Sequence, residues 1–194
     1  MSPNPGEDFQ MFEKDLPGKG TKNFATSADD IGNLPLEVCE TINGSWGFNL
    51  QDRKHKSEKE LVQYLVKAAG YGSNLLLNVG PMPNGKIQEE HIESLKKIGK
   101  WIKHNGQTIY NTKRGPIAPS DEIASTQNGN IIYIHLLDNK KLEYNIEGFN
   151  SKFKKITYLN SGKKVSIEKS KEGLSIFLDD KEIDHIDTIL KMEL

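Results

Sequence analysis

The chain has 194 residues, enough for one large domain or two small ones. Its formal net charge of −1 gives no electrostatic reason to expect nucleic acid or an anionic membrane as a partner. Hydrophobic residues are 35% of the chain and fall in patterned runs that predict a packed fold, none of them long enough to span a membrane.

The N-terminal stretch MSPNPGEDFQ has neither the basic start nor the apolar core of a signal peptide, which leaves the compartment unknown. Its prolines and acids suggest the middle of a surface loop. Residues 1–35 lack sustained periodicity: Phe9, Met11 and Phe12 form a short apolar cluster, and DLPGKGTK and ATSADDIGNLP are turn-rich. The stretch Leu36 to Asn49 is the most distinctive. An extended Leu36–Val38 alternation leads into a polar, glycine-punctuated and aromatic loop, the composition of many active-site rims. It holds the single cysteine, Cys39, which reads as a small buried apolar residue rather than a nucleophile.

Residues 57–69 predict a helix. Ser57 with Glu60 is a capping-box pattern, Leu61, Val62, Leu65, Val66 and Ala69 make an apolar stripe, and Gly70 and Gly72 stop it. NLLLNV (74–79) predicts a strand buried on both faces, as in a parallel sheet. A second helix is predicted over 88–104, with Ile92, Leu95, Ile98 and Ile102 as its buried stripe and Lys96, Lys97 and Lys100 on its wet face. Alternation of this kind belongs to α/β proteins. TKRGPIAPSDE then reads as a linker. The short β-rich runs beginning at 131, 142, 155, 164 and 174, and the one at the C-terminus, predict an antiparallel sandwich. In the first run Ile132, Ile134 and Leu136 alternate with Tyr133, His135 and Leu137, which predicts cover on both faces. The boundary is placed near 112, giving domains at 1–112 and 113–194. No convergence of acids, histidines or aromatics is evident in the second, which reads as structural.

The five histidines are scattered without ligand spacing, and no phosphate-cradling glycine loop or G-x-S-x-G elbow is present. No cofactor is expected. Carboxylates beside aromatics remain: Glu13 after Phe12, and Glu37 and Glu40 flanking Cys39 ahead of Trp46. Paired carboxylates and an aromatic wall suit glycoside chemistry.

Four motifs sharpen this: FEKDLPG (12–18), LEVCETINGSWGF (36–48), NLLLNVGPMPNGKI (74–87) and IGKWIKHNGQTIYNT (98–112). In order and in kind they resemble the α-L-fucosidases of glycoside hydrolase family 29, and the chain resembles the C-terminal part of that family's length. The resemblance implies the end of a (β/α)8-type barrel followed by a β-sandwich. It also implies a retaining hydrolase that releases terminal α-L-fucose from fucosylated oligosaccharides or glycoconjugates. Glu13, on the F-E-x-D-L-P loop, is the favoured acid/base and Glu37 the other candidate. Trp46 matches a position lining the fucose methyl pocket, and Phe48 is a weaker candidate for the same wall. Lys14 stands where many members carry arginine, a change expected to be tolerable at an exposed position. The family's Asp nucleophile and fucose-binding histidines have no matching segment. The expectation is therefore a truncated or split product, inactive alone and partnered by a missing N-terminal barrel segment. The alternative is a non-catalytic carbohydrate-binding or structural fragment.

Overall fold

The computed structural model describes Gly6, residues 8–17 and residues 34–194. The chain forms two compact units, Met1–Gly106 and Gln107–Leu194. Much of the two loops expected over 15–22 and 25–35 lies outside the described residues.

The first unit carries β1 (Gln10–Glu13), β2 (Leu36–Thr41), α1 (Glu58–Gly70), β3 (Ser73–Asn78) and α2 (Glu89–Asn105). The strands form one parallel sheet in the order β1-β2-β3, with Glu13 beside Cys39 and Thr41 beside Asn78. Side chains alternate between its faces. Phe12, Leu36, Val38 and Leu75 share one face and pack with Ala68 and Tyr64 of α1. Met11, Glu13, Glu37, Cys39, Leu76 and Asn78 belong to the other, where Met11 is 53% and Leu76 47% exposed. Helix α1 starts at the expected capping box: Ser57 Oγ accepts from the Glu60 N–H at 3.2 Å and Glu60 Oε2 from the Ser57 N–H at 2.8 Å. Gly72, at φ +74°, turns the chain out of the helix into β3.

Three expectations for this unit need correction. The Phe9–Phe12 cluster is not loop: β1 pairs with β2 over four residues, too few to show a period of their own. Strand β3 is not buried on both faces, because Leu76 points to the open side and β3 is an edge strand among the described residues. In α2 the buried line is His91, Ile98, Trp101 and Asn105, while Leu95 is exposed. A stripe sought in aliphatic residues alone passes over the histidine and asparagine that the helix turns inward.

The second unit is antiparallel throughout: β4 (Lys113–Arg114), β5 (Ile123–Asn128), β6 (Ile131–Leu136), β7 (Glu143–Glu147), β8 (Lys155–Tyr158), β9 (Ser166–Lys169), β10 (Gly173–Phe177) and β11 (Thr188–Glu193). A five-stranded sheet, β4-β5-β6-β11-β8, and a three-stranded sheet, β7-β10-β9, share one core. Ile132, Ile134, Ile156, Leu190 and Met192 come from the first sheet, and Tyr144, Ile146, Leu174 and Ile176 from the second. Strand β6 is buried on both faces from Ile132 to Leu136, as its sequence predicts. The linker expected over 112–122 contains β4, and β5 follows it unannounced, because its buried positions are Ala124, Ser125 and Thr126 rather than large apolar residues. Their polar groups are satisfied inside: Ser125 Oγ bridges the backbone of Ile117, and Thr126 Oγ1 donates to Thr108 O at 2.6 Å. The expectation of no convergent histidine and acid here also fails. His135 Nδ1 lies 2.7 Å from Asp187 Oδ2, both side chains fully buried. Burial pushes the Asp187 carboxyl up, against the pull of His135.

Candidate active site

Parallel pairing sets the C-terminal ends of β1, β2 and β3 along one edge, the edge beyond which sheets of this class bind ligands. Each strand end contributes a group there. Glu13 closes β1, and its exposed carboxylate Oε1 accepts a hydrogen bond from Trp46 Nε1 at 3.0 Å. Trp46 is carried by the loop after β2 and is 38% exposed, which leaves part of the indole accessible. Asn78, the last residue of β3, donates from Nδ2 to Trp46 O at 2.7 Å.

The β2 loop is held at several points. Lys56 N–H donates to Ile42 O at 2.8 Å, and its ammonium reaches Thr41 O at 2.8 Å and the buried Glu40 carboxylate at 3.3 Å. The Thr41 hydroxyl donates to Asn43 O. The Ser45 hydroxyl, joined by backbone N–H groups of Gly44, Ser45 and Lys54, holds the Asp52 carboxyl below the usual carboxylate range. Just after Trp46 the loop passes so near the segment that follows β3 that a Cβ at Gly80 would stand 2.5 Å from the Gly47 carbonyl carbon.

Lys14 ties Glu13 to this loop. Its backbone is left-handed (φ +58°), a conformation costing a non-glycine residue on the order of 1 kcal/mol. The turn is fixed by the Lys14 N–H donating to Cys39 O at 2.8 Å. The ammonium donates to Gly44 O at 2.7 Å and lies 5.0 Å from the centroid of the Trp46 ring. A cation over an indole is worth about 0.5–1 kcal/mol at an exposed site. Lys14 is thus half-buried and engaged, not the free surface residue expected.

The structure brings two of the four sequence-predicted residues together, Glu13 and Trp46. Glu37 lies on the same sheet face but level with Met11 and Asn74, two residues back along β2 from Cys39, roughly 7 Å at 3.3 Å per residue. Phe48 follows Gly47 and is half-buried, its backbone nitrogen packed against Gly80. Burial first, and the neighbouring Glu13 charge second, push the Cys39 thiol up, opposite to the shift that activates a nucleophilic thiol. Lys14, Asn78 and Asp52 were missed as supports of the site. Of these only Asn78 left a signal, a polar residue ending an apolar parallel strand. Among the described residues no group of three or more His, Cys, Asp or Glu could hold a metal ion. Chemically, the edge offers a carboxylate for proton transfer, oriented by an indole N–H, beside a partly exposed aromatic side chain.

Comparison with known proteins agrees in kind. A sequence model described as α-L-fucosidase matches residues 1–107. Tissue α-L-fucosidase of Bos taurus is 32% identical over 152 residues, covering 73% of this chain and 32% of its own. The α-L-fucosidase isoenzyme 1 of Paenibacillus thiaminolyticus superposes with a TM-score of 0.79 at 29% identity, over 96% of this chain and 45% of its own. The α-fucosidase of Thermotoga maritima, solved in complex with fucose, gives 0.77 at 27% identity, over 97% and 42%. The chain therefore spans about a third of the bovine relative and less than half of each bacterial one. With the four sequence motifs, the matched model and the shared fold in agreement, the chain is a member of the α-L-fucosidase family, glycoside hydrolase family 29.

Proposed function

We propose that the edge holding Glu13 and Trp46 is the acid/base side of a retaining α-L-fucosidase site acting on fucosylated oligosaccharides or glycoconjugates. The observation that carries this is the 3.0 Å hydrogen bond from Trp46 Nε1 to Glu13 Oε1, which orients one carboxyl oxygen and leaves the other for a glycosidic oxygen. In this reading Glu13 protonates the departing oxygen and then takes a proton from the attacking water. The exposed indole surface of Trp46 packs against the apolar side of the sugar, with Phe48 a further part of that wall. Glu37, two residues back along β2, is the less suited candidate. The reading requires an Asp nucleophile from a segment corresponding to the part of the relatives that this chain does not span. The three parallel strands with α1 and α2 are consistent with the end of a (β/α)8-type barrel within residues 1–112. The two antiparallel sheets are consistent with a β-sandwich over 113–194. No cofactor enters the reaction.

The test is complementation. The 194-residue chain is mixed with a polypeptide covering the N-terminal part of a family member and assayed on α-L-fucosides. Turnover should appear only in the mixture. Glu13→Gln should lower kcat by about 10²–10⁴-fold on a poor leaving group and far less on an activated aryl fucoside. Glu37→Gln should leave both rates within a few-fold. Full turnover by the Glu13→Gln mixture on the natural linkage would remove Glu13 from the role.

A further inference from the structure

The second unit holds a cavity of about 230 Å³ between the segment 149–153, which follows β7, and the β9–β10 hairpin. Its floor is Phe149 and Leu174, both buried in the core. Phe153 forms one wall, 6.4 Å from Phe149 between ring centroids and tilted 50° to it. The Lys169 ammonium stands over the Phe153 ring, 3.5 Å from its centroid, and Lys152 also lines the cavity.

The charge of its lining is of one sign, set beside two aromatic rings. No Asp or Glu lines it. Of the ten other lysines on this unit, four, Lys141, Lys155, Lys163 and Lys191, meet a carboxylate among the described residues. Lys152 and Lys169 have no such partner among the described residues. Two ammonium groups with no counter-charge beside an aromatic wall are suited to an anion that carries an apolar surface. Neutral hydrogen-bonding groups stand at the rim. Ser170 Oγ already accepts from the N–H groups of Glu172 and Gly173, at 3.1 and 3.2 Å, which leaves its own proton to donate outward. The walls are preformed. The Gly148 N–H donates to Glu172 O at 2.8 Å, and Gly173, at φ +153°, passes so close to β7 that a Cβ there would stand 2.1 Å from Ile146 O. The volume is below the roughly 300–1,000 Å³ typical of pockets for drug-sized ligands, so one ring is the largest guest that fits.

We propose that this cavity binds the acidic sugar unit of a glycan, its carboxylate held by Lys152 and Lys169 and its ring seated against Phe149 and Phe153. The site lies wholly within residues 149–174 and does not depend on the assignment of Glu13, so the two can fail separately.

Sodium glucuronate is the probe, titrated into the full 194-residue chain at constant ionic strength and followed by calorimetry and by amide shifts of residues 149–174, with fucose and sodium sulfate in parallel. Saturable glucuronate binding with a Kd below about 10 mM is expected, weakened about tenfold in Lys169→Gln at an unchanged melting temperature. Phe153→Leu should weaken glucuronate more than sulfate. No saturation, equal affinity for sulfate and glucuronate, or glucuronate binding indifferent to Lys169→Gln would each overturn the proposal.

Discussion

Glu13 and Trp46 are 33 positions apart in the chain, and what joins them is a residue whose own chemistry takes no part in proton transfer. Lys14 turns left-handed immediately after Glu13 and anchors the next strand's loop through Gly44 O. Replacing Lys14 with Met keeps the stem and removes the ammonium. Stability should fall by no more than about 1 kcal/mol, since the cation and its bond are near the surface. The Trp46 indole N–H resonance should nevertheless move and broaden in the NMR spectrum, while Lys14→Arg should retain it. An unmoved resonance in Lys14→Met would mean the loop is held without the lysine. The sequence made Glu13 and Trp46 nameable because family motifs run through them. Asn78 showed only as a polar residue ending an apolar strand, and neither its partner nor that of Lys14 was legible, because both act on backbone oxygens, Trp46 O and Gly44 O, and a contact to backbone imposes no residue type on its partner.

Among the elements, α2 carries the sharpest physical consequence. Its first turn buries His91 at 1% exposure, edge-on to His55 at 5.3 Å, and neither His91 ring nitrogen has a hydrogen-bond partner among the described residues. Burial first, and His55 second, hold the His91 pKa below its ordinary 6.5, against the opposing charges of Glu90 and Asp52. The folded state therefore favours neutral His91. Its contribution to stability is complete above about pH 6.5 and drains as pH falls through the lower folded value, because the unfolded chain takes up the proton first. The melting temperature of the first unit should drop on acidification from pH 7 to pH 5, and His91→Phe should flatten that drop. An identical slope in the variant would exclude His91 as its source. The same helix marks how far element-level reading reaches. Both helices, the capping box and the parallel β3 were legible because each has a local period or cap. Strands β1, β4 and β5 were not, since a two- or four-residue strand, or one whose interior is Ala-Ser-Thr, becomes a strand only through its partner.

For the molecule as a whole, the relevant feature is the sheet face opposite α1. Met11 on β1 and Leu76 on β3 stand open on either side of β2, and β1 and β3 end the sheet with unpaired edges among the described residues. Apolar surface beside free strand edges favours association. The 194-residue chain alone should therefore self-associate at micromolar concentration in analytical ultracentrifugation, and Met11→Ser with Leu76→Ser should reduce that. A monodisperse parent chain would contradict this. The close pass of Gly80 against Gly47 has a different kind of consequence. Position 80 carries no group that could touch a sugar, yet one added methyl there would displace the backbone beside Trp46. A genetic screen for loss of function would thus return this glycine beside the acid itself. Reading such a variant as a mere folding defect would mistake a fault in the mounting for a fault in the frame.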